Sequence, residues 1–132
     1  NVNCRILPVE GVEETRLALV KVLADDAIKV TTDGEPSPVS PPPTLGKSIT
    51  DPVEKVAAKL WPGVPLVPVM ATGATDGRFL NAVGIPTYGL TGFFSEATGN
   101  GAHGLNEKMR VRSLYEGRDF LYEVVKIYAN QK

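Results

Sequence analysis

The residue type best suited to chemistry is the single histidine, His103, in the run Gly101-Ala102-His103-Gly104-Leu105-Asn106-Glu107. A neutral imidazole is a common zinc ligand. Its glycine neighbours let the backbone approach a ligand closely and leave the ring accessible. The plain alternative is a surface histidine, or one satisfied within the core. One imidazole does not make a zinc site, which needs three or four ligands. A second candidate is the turn Thr72-Gly73-Ala74-Thr75-Asp76-Gly77-Arg78, between a strand-like and a helix-like segment. Free backbone N–H groups at a helix N-terminus suit an anion or an oxyanion. Thr75 or Asp76 would otherwise serve as a helix cap, and the two roles are compatible. The third candidate is Arg5, on the polar face of the first strand-like segment. Its guanidinium can grip a carboxylate with two parallel hydrogen bonds, or simply face solvent. There is no second histidine, no phosphate loop of the GxxxxGK type and no Ser-His-Asp spacing that would support nucleophilic catalysis.

The elements that must position these residues are legible as patterns. Val2, Cys4 and Ile6 alternate with Asn3 and Arg5, which predicts a half-buried strand over 2–7 ended by Pro8. Residues 10–25 carry Val12, Leu19, Val20, Val22 and Leu23 at helical spacing, with Glu10, Glu13 and Glu14 where a helix dipole favours acids. A second short strand is expected over 28–32. Residues 33–46 hold Gly34, Pro36, Pro38, Pro41, Pro42, Pro43 and Gly46 and can sustain neither helix nor central strand. A domain boundary is expected there, giving domains 1–35 and 36–132.

Beyond it, Asp51, Pro52 and Glu54 fit an N-cap, a first-turn proline and a capping-box acid, for a helix stopped by Trp61-Pro62-Gly63. Residues 66–70 read as a strand. A helix with Phe79, Leu80 and Val83 is closed by Gly84, and residues 87–90 read as another strand. After a glycine-rich loop, Ser113 and Glu116 form a second capping-box pattern. The last helix has an apolar face of Leu114, Leu121, Val124, Val125 and Tyr128. Strands alternating with helices imply an α/β fold.

Bulk properties exclude some classes. A net charge of −1 gives no electrostatic case for binding nucleic acid or an anionic membrane surface. No apolar run approaches the roughly 20 residues that span a bilayer. Cys4 is alone, so no internal disulfide is expected and the compartment stays open between cytoplasm, periplasm and secretion. No signal peptide and no initiator Met precede the first strand pattern, so Asn1 is expected to mark an internal cut or processing point.

Four pieces in order carry a resemblance: the Asn-x-Arg strand ending in Pro, the Thr-Gly-Ala-Thr-Asp-Gly-Arg-Phe turn, the Ile-Pro-Thr-Tyr-Gly-Leu strand and the His-Gly-x-Asn-Glu run. Over nearly the whole chain they resemble the zinc-dependent family of aminoacylases, glutamate carboxypeptidases, acetylornithine deacetylase and succinyl-diaminopimelate desuccinylase. Residues 1–35 then look like the end of a lid, or dimerisation, domain, and residues 36–132 like the C-terminal part of the α/β catalytic domain. The family uses two zinc ions bridged by a carboxylate and a water. By this resemblance His103 binds one zinc and Arg5 holds the substrate's carboxylate. Gly73, Ala74 and Thr75 line the pocket near that carboxylate, and Asp76 holds the turn. Asn106 and Glu107 orient the His103 loop, a supporting task behind the metal ligand.

The family's His-x-Asp motif, bridging Asp, Glu-Glu pair, remaining carboxylate ligand and lid histidine have no match in this chain. They belong to the N-terminal part of a full-length member, where the general base is expected, so no catalytic residue is expected here. The resemblance implies the C-terminal portion of a zinc hydrolase that cleaves an amide bond next to a free carboxylate, in an N-acyl amino acid or a short peptide. Its expected partners are that substrate, the missing N-terminal part and a second copy paired through the lid. The isolated chain is not expected to be active. The alternative is a non-catalytic module kept for dimerisation or amino-acid binding. A gene product of roughly three times this size favours the enzyme, and one of 14.1 kDa the module.

Overall fold

Three helices of this chain start after a glycine or another residue in extended conformation, Gly11, Gly46 and Arg110. The computed structural model describes residues 1–8, 10–34, 38, 40–71 and 73–131. Among these the chain forms helices α1 (Val12–Leu23), α2 (Lys47–Leu60), α3 (Gly77–Ala82) and α4 (Val111–Ala129). Segments 2–7, 28–32, 66–70 and 87–90, whose patterns suggest strands, lie in no strand ladder among the described residues. The backbone divides into two units, one of Asn1–Thr44 with Val69–Tyr88, the other of Leu45–Pro68 with Gly89–Lys132. The expected boundary between residues 35 and 36 falls on Glu35 and Pro36, outside the described residues.

In the first unit, α1 begins after Gly11, whose N–H donates to the Glu14 carboxylate at 3.1 Å. Glu13 and Arg16 pair across one turn at 2.6 Å, and Arg16 also donates to the Val30 carbonyl at 3.3 Å. None of the α1 residues is buried, and Leu17, Val20, Val22 and Leu23 are all exposed. Helix α3 ends in a Schellman arrangement: Gly84, at φ +81°, donates to the Asn81 carbonyl and Ile85 donates to that of Leu80. The Asn81 side chain then accepts the Thr87 N–H at 2.7 Å, which fixes the chain leaving the helix.

The second unit has the core. Val53, Val56 and Ala57 of α2 pack with Phe120 and Val124 of α4, with Trp61, Leu121, Ile127 and Tyr128 at the margin. The Tyr128 hydroxyl donates to the Ile49 carbonyl and ties the end of α4 to the start of α2. Trp61 stands edge-on to Phe94, with centroids 4.8 Å apart, and tilted against Phe120 at 5.0 Å.

Both helix starts differ from their sequence patterns. Helix α2 begins at Lys47 rather than Pro52. Gly46, extended at φ −86° and ψ 164°, lets its carbonyl accept the N–H groups of Ile49 and Thr50, so a turn forms upstream of the proline. Pro52 then lies inside the helix, where its ring is buried in the core face. Helix α4 begins at Val111, so Ser113 is not its cap. The Ser113 side chain is buried, and its Oγ accepts the Phe94 N–H at 2.6 Å. A buried hydroxyl needs a partner, and the loop N–H supplies one. Glu116 pairs with Arg112 at 2.7 Å instead of closing a capping box.

Gly117 sits mid-helix because the 92–94 loop lies on it. A Cβ there would overlap the Phe93 ring, and a Cβ at Gly92 would stand 2.9 Å from Gly117 Cα. On an open helix Gly→Ala gains about 1 kcal/mol. Here Gly117→Ala should instead lower stability by about 1–3 kcal/mol through overpacking. Urea unfolding checks the sign, with Ala129 as an exposed helical position for the reference Ala→Gly pair.

Candidate functional site

The sequence-selected residues fall in both units. Arg5, Gly73, Ala74, Thr75 and Asp76 belong to the first. Arg5 is exposed, as are residues 73–76; Thr72 lies outside the described residues. Asp76 precedes α3 with helical φ and ψ and makes no side-chain cap bond. The turn is closed instead by backbone bonds from Arg78 N–H to the Thr75 carbonyl and from Phe79 N–H to the Asp76 carbonyl. A Cβ at Gly77 would stand 3.1 Å from Thr87 Cγ2 and 3.2 Å from Thr75 Oγ1, so a side chain here requires those two threonines to give way slightly. The Arg78 guanidinium lies over the Phe79 ring at 4.6 Å, and its buried Nε has no hydrogen-bond partner.

His103, Asn106 and Glu107 belong to the second unit, in a loop whose ends meet: Lys108 N–H donates to the Asn100 carbonyl at 2.9 Å. Asn100 works twice, because its Oδ1 also accepts the Ala102 N–H at 3.2 Å. Inside the loop Gly104 donates to the Gly101 carbonyl at 2.8 Å and Glu107 to that of Gly104 at 3.2 Å. Gly101, at φ +67°, runs close to the Asn106 carbonyl, 3.2 Å from where a Cβ would be. His103 is itself left-handed at φ 64°, a region histidine enters more readily than most residues. Its N–H donates to Glu107 Oε2 at 3.3 Å. The backbone is therefore held from both sides, and the imidazole is exposed.

The base of this loop opens on a cleft of about 320 Å³, which sequence reasoning missed. Phe93, Phe94 and Met109 give its apolar walls. Glu96 and Arg110, both in its lining, form a two-pronged ion pair, Arg110 Nη2 to Glu96 Oε2 being 2.5 Å. Asn100 and Lys108 line it too. The hydrogen bond from Arg110 holds the Glu96 carboxyl below its usual range, with the charges of Arg110 and Lys108 adding to the effect against some desolvation. No local pattern marks this pair, since a glycine-rich loop separates the two residues.

Among the described residues, no three His, Cys, Asp or Glu side chains gather where they could hold a metal ion. The chemistry of the donors present fits one ligand position, the exposed His103 imidazole, and not a whole site. No helix of the described residues is long and apolar enough to cross a membrane.

These features sit in a chain of known class. A family model for peptidases matches residues 7–127, and its description is peptidase family M20/M25/M40. The match takes in both units, and the chain belongs to this family of hydrolases, whose peptidases are generally metal-dependent. No curated protein and no solved structure gives a match.

The Glu96–Arg110 pair gives a pH test. A carboxyl with a lowered folded-state value contributes stability above its usual value, here 4.5, and loses it as pH falls through the folded value. The melting-temperature gap between wild type and Glu96→Gln should therefore be present at pH 7 and close progressively below about pH 4.5. At neutral pH, molar salt should shrink the same gap, since the pair is exposed.

Proposed function

We propose that this chain is the C-terminal portion of a zinc-dependent amidohydrolase acting on an amide bond beside a free carboxylate, in an N-acyl amino acid or a short peptide. The observation that carries the reading is the His103 loop: an exposed imidazole on a left-handed residue, pinned by Asn100 and Glu107, in a member of a peptidase family. In this reading residues 1–35 close a lid domain through which two copies pair. Residues 36–132 return into an α/β catalytic domain. Segments 2–7, 28–32, 66–70 and 87–90 become strands when the rest of the sheet is present.

His103 supplies one zinc ligand, and the remaining ligands and the general base come from the N-terminal part. The bound metal supplies Lewis-acid polarisation of the scissile carbonyl and of water. The work of this chain is positional. The Glu107 carboxylate holds the His103 backbone, with Asn106 in the same turn. Arg5 grips the substrate carboxylate with its planar fork. Residues 73–75 line the carboxylate end of the pocket, with Asp76 in the turn that follows. An oriented substrate needs less reorganisation to reach the transition state.

His103→Ala in the complete enzyme should lower zinc content at one of the two sites and remove most turnover, with little change in melting temperature. His103→Asn, which tolerates left-handed backbone, should lose zinc equally and so separates the imidazole from the loop conformation. Elemental analysis beside kcat decides. Two retained zinc ions and normal turnover would remove His103 from the metal.

Arg5→Ala should cut kcat/KM for carboxylate substrates by about tenfold to a hundredfold, the worth of a hydrogen bond to a charged group. Arg5→Lys should rescue only part of the loss. Equal kinetics for all three proteins would leave Arg5 a solvated residue.

A further inference from the structure

We infer that Glu96 and Arg110 are positioning residues for His103, their ion pair clasping the stem of its loop, an inference that rests on the proposed amidohydrolase function. The two residues bracket the segment 97–109, which carries His103. Ties at three levels join its two limbs. Nearest the core, the Phe94 N–H donates to the Ser113 hydroxyl of α4 at 2.6 Å. Nearest the tip, the Lys108 N–H donates to the Asn100 carbonyl at 2.9 Å. Between them, Arg110 donates to both carboxylate oxygens of Glu96. Among the described residues no backbone hydrogen bond joins 95–99 to 109–112, so the side-chain pair supplies the tie at that level.

Each end of the clasp is itself anchored. The Glu96 carbonyl accepts the Gly99 N–H at 2.8 Å, which turns the chain into the loop. The Arg110 carbonyl accepts the Leu114 N–H at 3.1 Å, which opens α4. A guanidinium meeting a carboxylate with two bonds fixes direction as well as distance. The clasp therefore sets the outgoing turn of the loop against the start of a packed helix. Asn100 and Glu107 hold the tip around His103, but only relative to the loop itself. The place of His103 relative to the core passes through the stem. A ligand that must meet a metal held largely by other residues depends on that placement.

The pair is exposed, with Arg110 55% and Glu96 37% accessible. Such a pair can change zinc affinity by about threefold to fivefold. Two variants separate positioning from charge. Glu96→Gln removes a negative charge and Arg110→Gln a positive one. A simple field on the metal shifts zinc affinity in opposite directions in the two variants, whereas a lost clasp shifts it the same way.

In the complete enzyme, both variants should weaken zinc binding about threefold to fivefold at the site that His103→Ala empties, read by competition with a chromogenic chelator. In the metal-free enzyme, amide exchange over residues 97–109 should quicken in both, with α2 and α4 unchanged. The reversed pair, Glu96→Arg with Arg110→Glu, should restore most of both properties. Zinc shifts of opposite sign, or none, overturn the positioning role. So does exchange that quickens throughout α2 and α4, or nowhere. If His103→Ala keeps both zinc ions, the hydrolase reading fails separately. Exchange over 97–109 then decides whether the pair clasps the loop.

Discussion

The second unit depends on one close approach, the backbone at Gly92 lying against α4 at Gly117. Neither position has room for a methyl group. With both glycines in place, the Phe94 N–H reaches the Ser113 hydroxyl, and Phe94 meets the edge of Trp61. Trp61 in turn packs on Phe120, the most deeply buried ring of the α2–α4 core. The core, the aromatic stack and the wall of the cleft are thus one continuous packing problem. Protein interiors are dense enough that such an arrangement transmits a small displacement rather than absorbing it.

The His103 loop solves a different problem. It lies outside the core, so packing cannot hold it. Hydrogen bonds do so instead, with Asn100 serving one neighbour through its side chain and another through its carbonyl. The left-handed backbone at His103 is a modest local cost, offset by the surrounding turn bonds. A loop fixed in this way presents the imidazole from a backbone with little conformational freedom left to lose on binding.

How much of this was legible varied with the physics involved. The helical cores of α1, α2 and α4 follow from apolar spacing, and Gly84 as a helix terminator follows from its freedom at positive φ. Helix starts were less legible. The Asp51-Pro52-Glu54 pattern is a sound cap in isolation, yet Gly46 offers an earlier one and the Pro52 ring is better used in the core. Ser113 reads as a cap because nothing local reveals that Phe94, far away in sequence, needs an acceptor. Strand patterns record a preference for one buried face, whereas a ladder depends on a neighbour that local sequence does not name. The family's motifs singled out His103 and Arg5. The Glu96–Arg110 pair and the cleft are products of folding, joining residues that no periodicity connects.

The order of the chain has a consequence for how the molecule can change over time. The α2–α4 core is made by helices with a long connection between them, from Trp61 to Arg110. The entropy of closing such a loop grows only logarithmically, by about 0.6 kcal/mol for each doubling. A few residues added in an exposed turn of that connection, away from α3, the 73–76 turn, Phe93, Phe94 and the 100–108 turn, therefore add little to the closure entropy of the core. A side chain added at Gly92 or Gly117, by contrast, meets that core directly.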